Sequence, residues 1–324
     1  MGGNVKMKKL LTILATTTVL ALGATAANAA DIAVIAGSVE DGFFNLIKKG
    51  VDDATLVVTA NGGKVNYLRT QNYDNFGPDL VGLINTAVSQ GVQGIAIPIW
   101  VPDSEVPALQ AAAAKGIKIM MYNSGAEHRE SVKGMNYFGS DEHVAGVAGG
   151  EYMAKHGAKK IICHIQVPGA VNLEARCAGV KEGAEKNGAI VVNLPLPANL
   201  DQNATGTSEA IKAELLKDPS IDGVVTLAAW ASDAAAISIQ QAGRPVKLGT
   251  FDMSPAVLER IKDGSQTFAI DQQPYLQGFL ATTMLAANID FGTELATIPV
   301  LTGPAIIDAA NIDSALEGVK KGAR

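Results

Sequence analysis

The chain has 324 residues, with 32 acidic side chains against 26 lysines and arginines and a formal net charge of −6. That balance excludes the nucleic-acid binders, which need a basic stripe, and no aromatic-basic cluster offers a platform for single strands. With 48% hydrophobic residues the chain can fill one large or two medium cores, and two domains are expected.

At the N-terminus, Lys6, Lys8 and Lys9 precede an apolar stretch from Leu10 to about Leu22, and Ala27-Asn28-Ala29 follows. This is the order of charged region, apolar region and small-residue cleavage site in a secretory leader. A signal peptide over residues 1–29 is therefore expected, with the mature protein beginning near Ala30 and its net charge falling to −9 as the three lysines leave. The apolar run is short of the roughly 20 residues a membrane span needs, and Thr16, Thr17 and Thr18 interrupt it. No cysteine stands at the cleavage site to accept a lipid. The expected product is a free soluble protein in a bacterial export compartment, the periplasm.

From Asp31 onward, short aliphatic runs alternate with longer helical patterns. The runs 32–36, 64–68, 94–99, 118–122, 160–165, 190–194, 224–227, 246–251 and 267–270 read as strands. Most are continuously apolar, as in parallel strands buried on both faces. The helical segments between them mostly stop at a glycine: Gly62, Gly91, Gly116, Gly157, Gly188, Gly243 and Gly264. Glycine suits the left-handed conformation that ends a helix. Repeated strand, helix and glycine units predict an α/β fold of doubly wound parallel sheets.

In such sheets ligands sit beyond the carboxyl ends of the strands, and the unusual residues fall there. Glu40-Asp41-Gly42-Phe43-Phe44 follows the first strand, Trp100 the third, and Asn123-Ser124 the fourth. Arg176, Trp230, Asp252 and Asp271-Gln272-Gln273-Pro274 follow later strands. A carbohydrate presents an apolar C–H face, which aromatic rings cover, and hydroxyls, which acids, amides and guanidinium groups satisfy. Simpler roles remain open: Phe43 and Phe44 also suit packing between helix and sheet, Asp252 or Ser254 suits a helix cap before Pro255, and Asn123 suits a turn.

Other chemistries lack their motifs. His128, His143, His156 and His164 show no metal-ligand spacing, no phosphate-binding loop appears, and no Gly-x-Ser-x-Gly elbow is present. No cofactor, metal or catalytic residue is expected. Cys163 and Cys177 are open to two readings, a disulfide or two small buried side chains, and the second is favoured because pairing geometry is demanding.

The segments Ser38–Phe44, Gly94–Asp103, Ile119–Gly125, Arg176–Gly179, Gly249–Asp252 and Phe268–Gly278 together make the chain resemble the type I periplasmic sugar-binding proteins of ABC importers, the ribose-binding-protein-like group. The resemblance covers essentially the whole mature chain. It implies two lobes joined by a three-strand hinge: residues 30–140 with 273–300, and 141–272 with 301–324. It also implies ligand contacts for Asp41, Phe43, Phe44, Arg176, Asp252 and Gln272. Asn123 stands where the family carries an aspartate. Two departures concern the second lobe, where the family aromatic aligns near Leu200 and a family asparagine aligns with Ala228 or Ala229. Trp230 offers a replacement ring, and Trp100 completes the expected set.

The function implied is capture of a small sugar, polyol or cyclitol by a monomer and delivery to a membrane permease. The alternatives are a signalling receptor for an autoinducer-like sugar and an extracytoplasmic sugar-modifying enzyme.

Overall fold

The computed structural model describes residues 1, 2 and 29–324, so the charged and apolar parts of the expected leader lie outside the described residues. Two six-stranded sheets organise the rest. The strands are β1 (Asp31–Ala36), β2 (Lys64–Arg69), β3 (Gly94–Ile97), β4 (Lys118–Asn123), β5 (Gly134–Ser140), β6 (Lys160–Ile165), β7 (Ile190–Pro195), β8 (Gly223–Thr226), β9 (Lys247–Phe251), β10 (Phe268–Asp271), β11 (Val300–Gly303) and β12 (Ala305–Ile307). The helices are α1 (Phe43–Ala60), α2 (Phe76–Ser89), α3 (Pro102–Ala114), α4 (Glu142–Lys155), α5 (Val171–Glu185), α6 (Ala204–Lys217), α7 (Ala229–Ala242), α8 (Pro255–Asp263), α9 (Pro274–Phe291) and α10 (Asp313–Lys320).

The first sheet has the order β11-β5-β4-β3-β1-β2 and the second β12-β10-β9-β8-β6-β7. All pairings are parallel except that of β10 with β12. The two orders match position by position, so β1 corresponds to β6, β3 to β8 and β4 to β9. Central strands such as β1, β4 and β6 are buried along nearly their whole length, which accounts for their unbroken apolar runs. The edge strand β7 leaves Ile190 and Val192 exposed.

The chain passes between the sheets three times: after Ser140, between Asp271 and Pro274, and at Pro304 between β11 and β12. The last crossing keeps residues 301–303 with the first sheet rather than the second.

All nine expected strands form. The three that were not anticipated, β5, β11 and β12, all border crossings. β5 carries Gly134, Asn136, Gly139 and Ser140 among its apolar residues, and β11 and β12 are only four and three residues long. Each of the seven helix-ending glycines has φ between 65° and 93°. Another glycine set has a different cause: a Cβ at Gly146 or Gly150 of α4 would collide with the backbone of α5 at Arg176 or Val180. That close contact packs α4 directly on α5.

The cysteine reading is corrected. Cys163 on β6 and Cys177 on α5 form a disulfide, with Cα atoms 5.8 Å apart. Both are also fully buried. The helix that follows β6 folds back on it, so fourteen residues of chain bring the two side chains face to face.

Candidate functional site

The carboxyl ends of both sheets open onto one cavity of about 460 Å³. Asp41, Phe43, Phe44, Trp100, Asn123, Arg176, Trp230, Asp252 and Gln272 all border it. Five come from the first lobe, three from the second, and Gln272 lies on the second crossing. Trp100 lies in the loop between β3 and α3 and Trp230 in the first turn of α7 after the corresponding β8, so each lobe contributes an indole from the segment after equivalent strands.

The first-lobe wall is aromatic. Phe43 and Phe44 meet edge to face at 5.4 Å, Phe44 meets Trp100 edge to face at 5.5 Å, and Phe76 lies 5.1 Å from Trp100. Phe44 is buried in this packing, whereas Phe43 is half-buried and free to present surface. Asp41 organises the turn into α1: its Oδ1 accepts from the Phe43 N–H at 3.0 Å and its Oδ2 from the Tyr73 hydroxyl at 2.8 Å. Burial raises the Asp41 carboxyl above its ordinary range, against the pull of these bonds and of Arg69.

Trp100 is held from below by Glu105 of α3. The Glu105 Oε2 accepts from the N–H groups of Trp100 at 2.8 Å and Val101 at 2.6 Å. A helix-start carboxylate reaching back to preceding N–H groups is a capping arrangement. Burial pushes Glu105 up to about 7, although both N–H groups favour its ionised form.

The opposite wall is a polar network. Arg176 lies on α5, stacked over the Phe251 ring at 4.5 Å. Its Nε donates to Glu142 Oε2 at 2.6 Å, and its Nη2 donates to Glu142 Oε1 at 3.1 Å and to Gln272 Oε1 at 2.7 Å. The Gln272 amide in turn donates to Asp252 Oδ1 at 2.5 Å. Burial raises Asp252 to about 7, only partly offset by Arg176 and Gln272. The helix after Asp252 is capped by Ser254, whose Oγ accepts from Val257 N–H, so the Asp252 carboxylate is released for the cavity network. Asn123 has φ 62° and does make the turn its sequence allowed, but its amide also donates to Gln277 Oε1 at 3.2 Å.

Sequence reasoning missed several residues. Gln166 immediately follows β6, and the strand-end rule reaches it. Asn172 opens α5 one turn before Arg176, and Tyr73 and Asp201 lie in loops without a strong local pattern. Glu142 and Glu105 act behind the cavity wall, where no local motif marks them. Asp201 and Gln202 enter the lining; their neighbour Leu200, the expected aromatic position, does not. The lobes also meet directly: the Val171 N–H at the start of α5 donates to the Trp100 carbonyl at 3.0 Å. Among the described residues no group of His, Cys, Asp and Glu is placed to hold a metal ion.

This fold recurs in known proteins. Residues 32–294 match the model of the periplasmic binding protein domain. A xylose/arabinose-binding protein, XylF of Sulfolobus acidocaldarius, is 25% identical over 286 residues, covering 83% of this chain and 69% of that protein. A carbohydrate transporter of Acidothermus cellulolyticus 11B, solved with myo-inositol, is 32% identical with a TM-score of 0.84, over 91% of this chain and all of that one. A solute-binding protein from Burkholderia graminis C4D1M, solved with D-arabinose, is 27% identical with a TM-score of 0.76, over 89% and 98% of the two chains. The match to the domain model spans most of the chain and takes in five strands of each sheet, so this protein belongs to the family of periplasmic binding proteins.

Proposed function

We propose that this protein is the extracytoplasmic receptor of an ABC importer, which encloses a small cyclitol, pentose or related polyol between its lobes and delivers it to a membrane permease. One observation carries the reading: aromatic and hydrogen-bonding residues from both lobes and a crossing segment border a single cavity. Its volume of about 460 Å³ falls in the range of roughly 300–1,000 Å³ common to small-molecule sites. Phe43 and the two tryptophans offer apolar faces, while Asp41, Asn123, Asp252 and Gln272 offer partners for hydroxyls. The relative solved with myo-inositol, the more similar of the two ligand-bound structures in sequence, puts cyclitols first on the test panel.

The lobes turn about the three crossings, and closure excludes water, which strengthens each polar contact. Export through the leader agrees with the Cys163–Cys177 disulfide, a bond suited to an oxidising compartment. Calorimetric titration of ligand-stripped protein with inositols, pentoses, hexoses and linear polyols tests the reading. Saturable binding of at least one is expected; silence across the panel refutes it.

A further inference from the structure

The charges around the cavity do not balance. Arg176 directs its charge to Glu142, and Arg324, which also borders the cavity, donates through Nε to Asp271 Oδ2 at 2.7 Å and through Nη1 to the Ser314 carbonyl at 2.7 Å. Asp233 pairs with Arg260 at 2.6 Å. Asp41, Asp201, Asp252 and the exposed Glu40 remain, and among the described residues no lysine or arginine forms an ion pair with any of them.

Two of these acids come from opposite lobes, Asp41 from the loop before α1 and Asp201 from the loop before α6. The hydrogen bond Asp201 receives comes from its neighbour Gln202, at 3.1 Å. Burial first, and then the negative charge of Asp41, raise Asp201 to about 7. A second observation is independent of the acids. Gln166 and Asn172 border the same cavity, are only 8% and 7% exposed, and their side-chain oxygens accept no hydrogen bond. The cavity thus holds acceptors with unfilled capacity and no cation ion-paired to Asp41 or Asp201.

We infer that the part of the cavity between Asp201, Gln166 and, across the cleft, Asp41 is a subsite for a protonated primary amine, so that amino-substituted cyclitols or sugars are preferred and anionic ones refused. A hydroxyl brings one hydrogen, a lone pair of its own and no charge, and leaves the two carboxylates repelling each other. An ammonium group brings three hydrogens and a charge that neither acid finds in an ion pair, Arg69 reaching Asp41 only at its main-chain carbonyl. A phosphate or carboxylate on the ligand adds to the repulsion in a site of low dielectric.

The inference rests on the polyol-receptor reading and is tested with matched ligands. At pH 7, the full protein is titrated calorimetrically with scyllo-inositol and its monoamino-deoxy derivative, with glucose and glucosamine, and with inositol monophosphate. The amine of at least one pair is expected to bind tenfold or more tighter than its parent, and the phosphate not to bind. In Asp201→Asn the ratio of the two dissociation constants should fall toward one. Because it is a ratio on one variant, a general loss of affinity cancels, and the wild-type pairs decide alone if the variant does not fold. Parents that bind while their amines bind equally or more weakly overturn this inference only, as does phosphate binding as tight as that of its parent. Failure of every parent and amine, together with all the pentoses and hexoses, overturns the receptor reading and this inference with it.

Discussion

Asn123 and Asp252 occupy corresponding positions in the two lobes: Asn123 is the last residue of β4 and Asp252 the first after β9, the third strands counted from the crossing-side edges of their sheets, and each has a left-handed backbone, at φ 62° and 68°. Both are tied to the second crossing segment. Asn123 donates to Gln277, Gln277 donates to the Gln272 carbonyl at 3.0 Å, and the Gln272 side chain reaches Asp252 and Arg176. One chain of hydrogen bonds therefore runs from lobe to lobe through the segment that connects them.

That backbone geometry separates two contributions at Asp252. Both Asp252→Ala and Asp252→Gly remove the carboxylate and strand the Gln272 amide, so each is expected to weaken ligand binding by about 1–3 kcal/mol in calorimetry. Alanine additionally resists a positive φ, at a cost of roughly 1–2 kcal/mol, whereas glycine does not. Asp252→Gly should accordingly unfold at higher denaturant than Asp252→Ala. Equal midpoints would contradict the strain argument.

Arg176 and Glu142 are 3% and 9% exposed and form a bidentate pair. Breaking such a pair strands a buried charge and costs about 3–5 kcal/mol, while replacing both partners by apolar groups often costs little. Arg176→Met alone should lower stability by that amount. The double variant Arg176→Met with Glu142→Leu should recover most of it in urea unfolding but should not recover ligand affinity.

Glu105 provides a pH test with a defined sign. Its folded-state pKa, about 7, lies above the ordinary 4.5, so its contribution to stability is full below about pH 4.5 and is lost as pH rises through 7. Glu105→Gln stays neutral and can still accept from Trp100 and Val101. It should match the wild type near pH 4.5 and exceed it well above pH 7 by about 3 kcal/mol, the value of the shift from 4.5 to about 7 at roughly 1.36 kcal/mol per pH unit. Thermal melts of both proteins from pH 4.5 to 8 check this; a constant difference would contradict it.

Reduction of the Cys163–Cys177 bond frees a loop closed across fourteen residues, worth about 3 kcal/mol by loop entropy. Melting temperature should drop by several degrees on reduction or in the Cys163→Ala, Cys177→Ala variant, and a reductant should have no further effect on that variant.

Much of this architecture is written in local pattern. Central strands announce themselves because both faces are buried, and helix ends because glycine alone takes a positive φ without strain. The strand-end rule reaches Asp41, Trp100 and Asp252, all of which border the cavity. The disulfide and the carboxylates behind the wall escaped for a common reason. Cys163 finds Cys177 only once α5 folds back on β6, and Glu142 finds Arg176 only once α4 packs on α5. β5, β11 and β12 owe their pairing to partners distant in sequence rather than to their own residues.

The bond from the Val171 N–H to the Trp100 carbonyl uses main-chain atoms alone. Replacing either side chain leaves donor and acceptor in place, except for proline at 171, which lacks the hydrogen and is otherwise welcome at the first position of a helix. Solute preference is therefore free to drift through mutation of the rings and acids around the hollow, while the seam along which the halves meet stays the same.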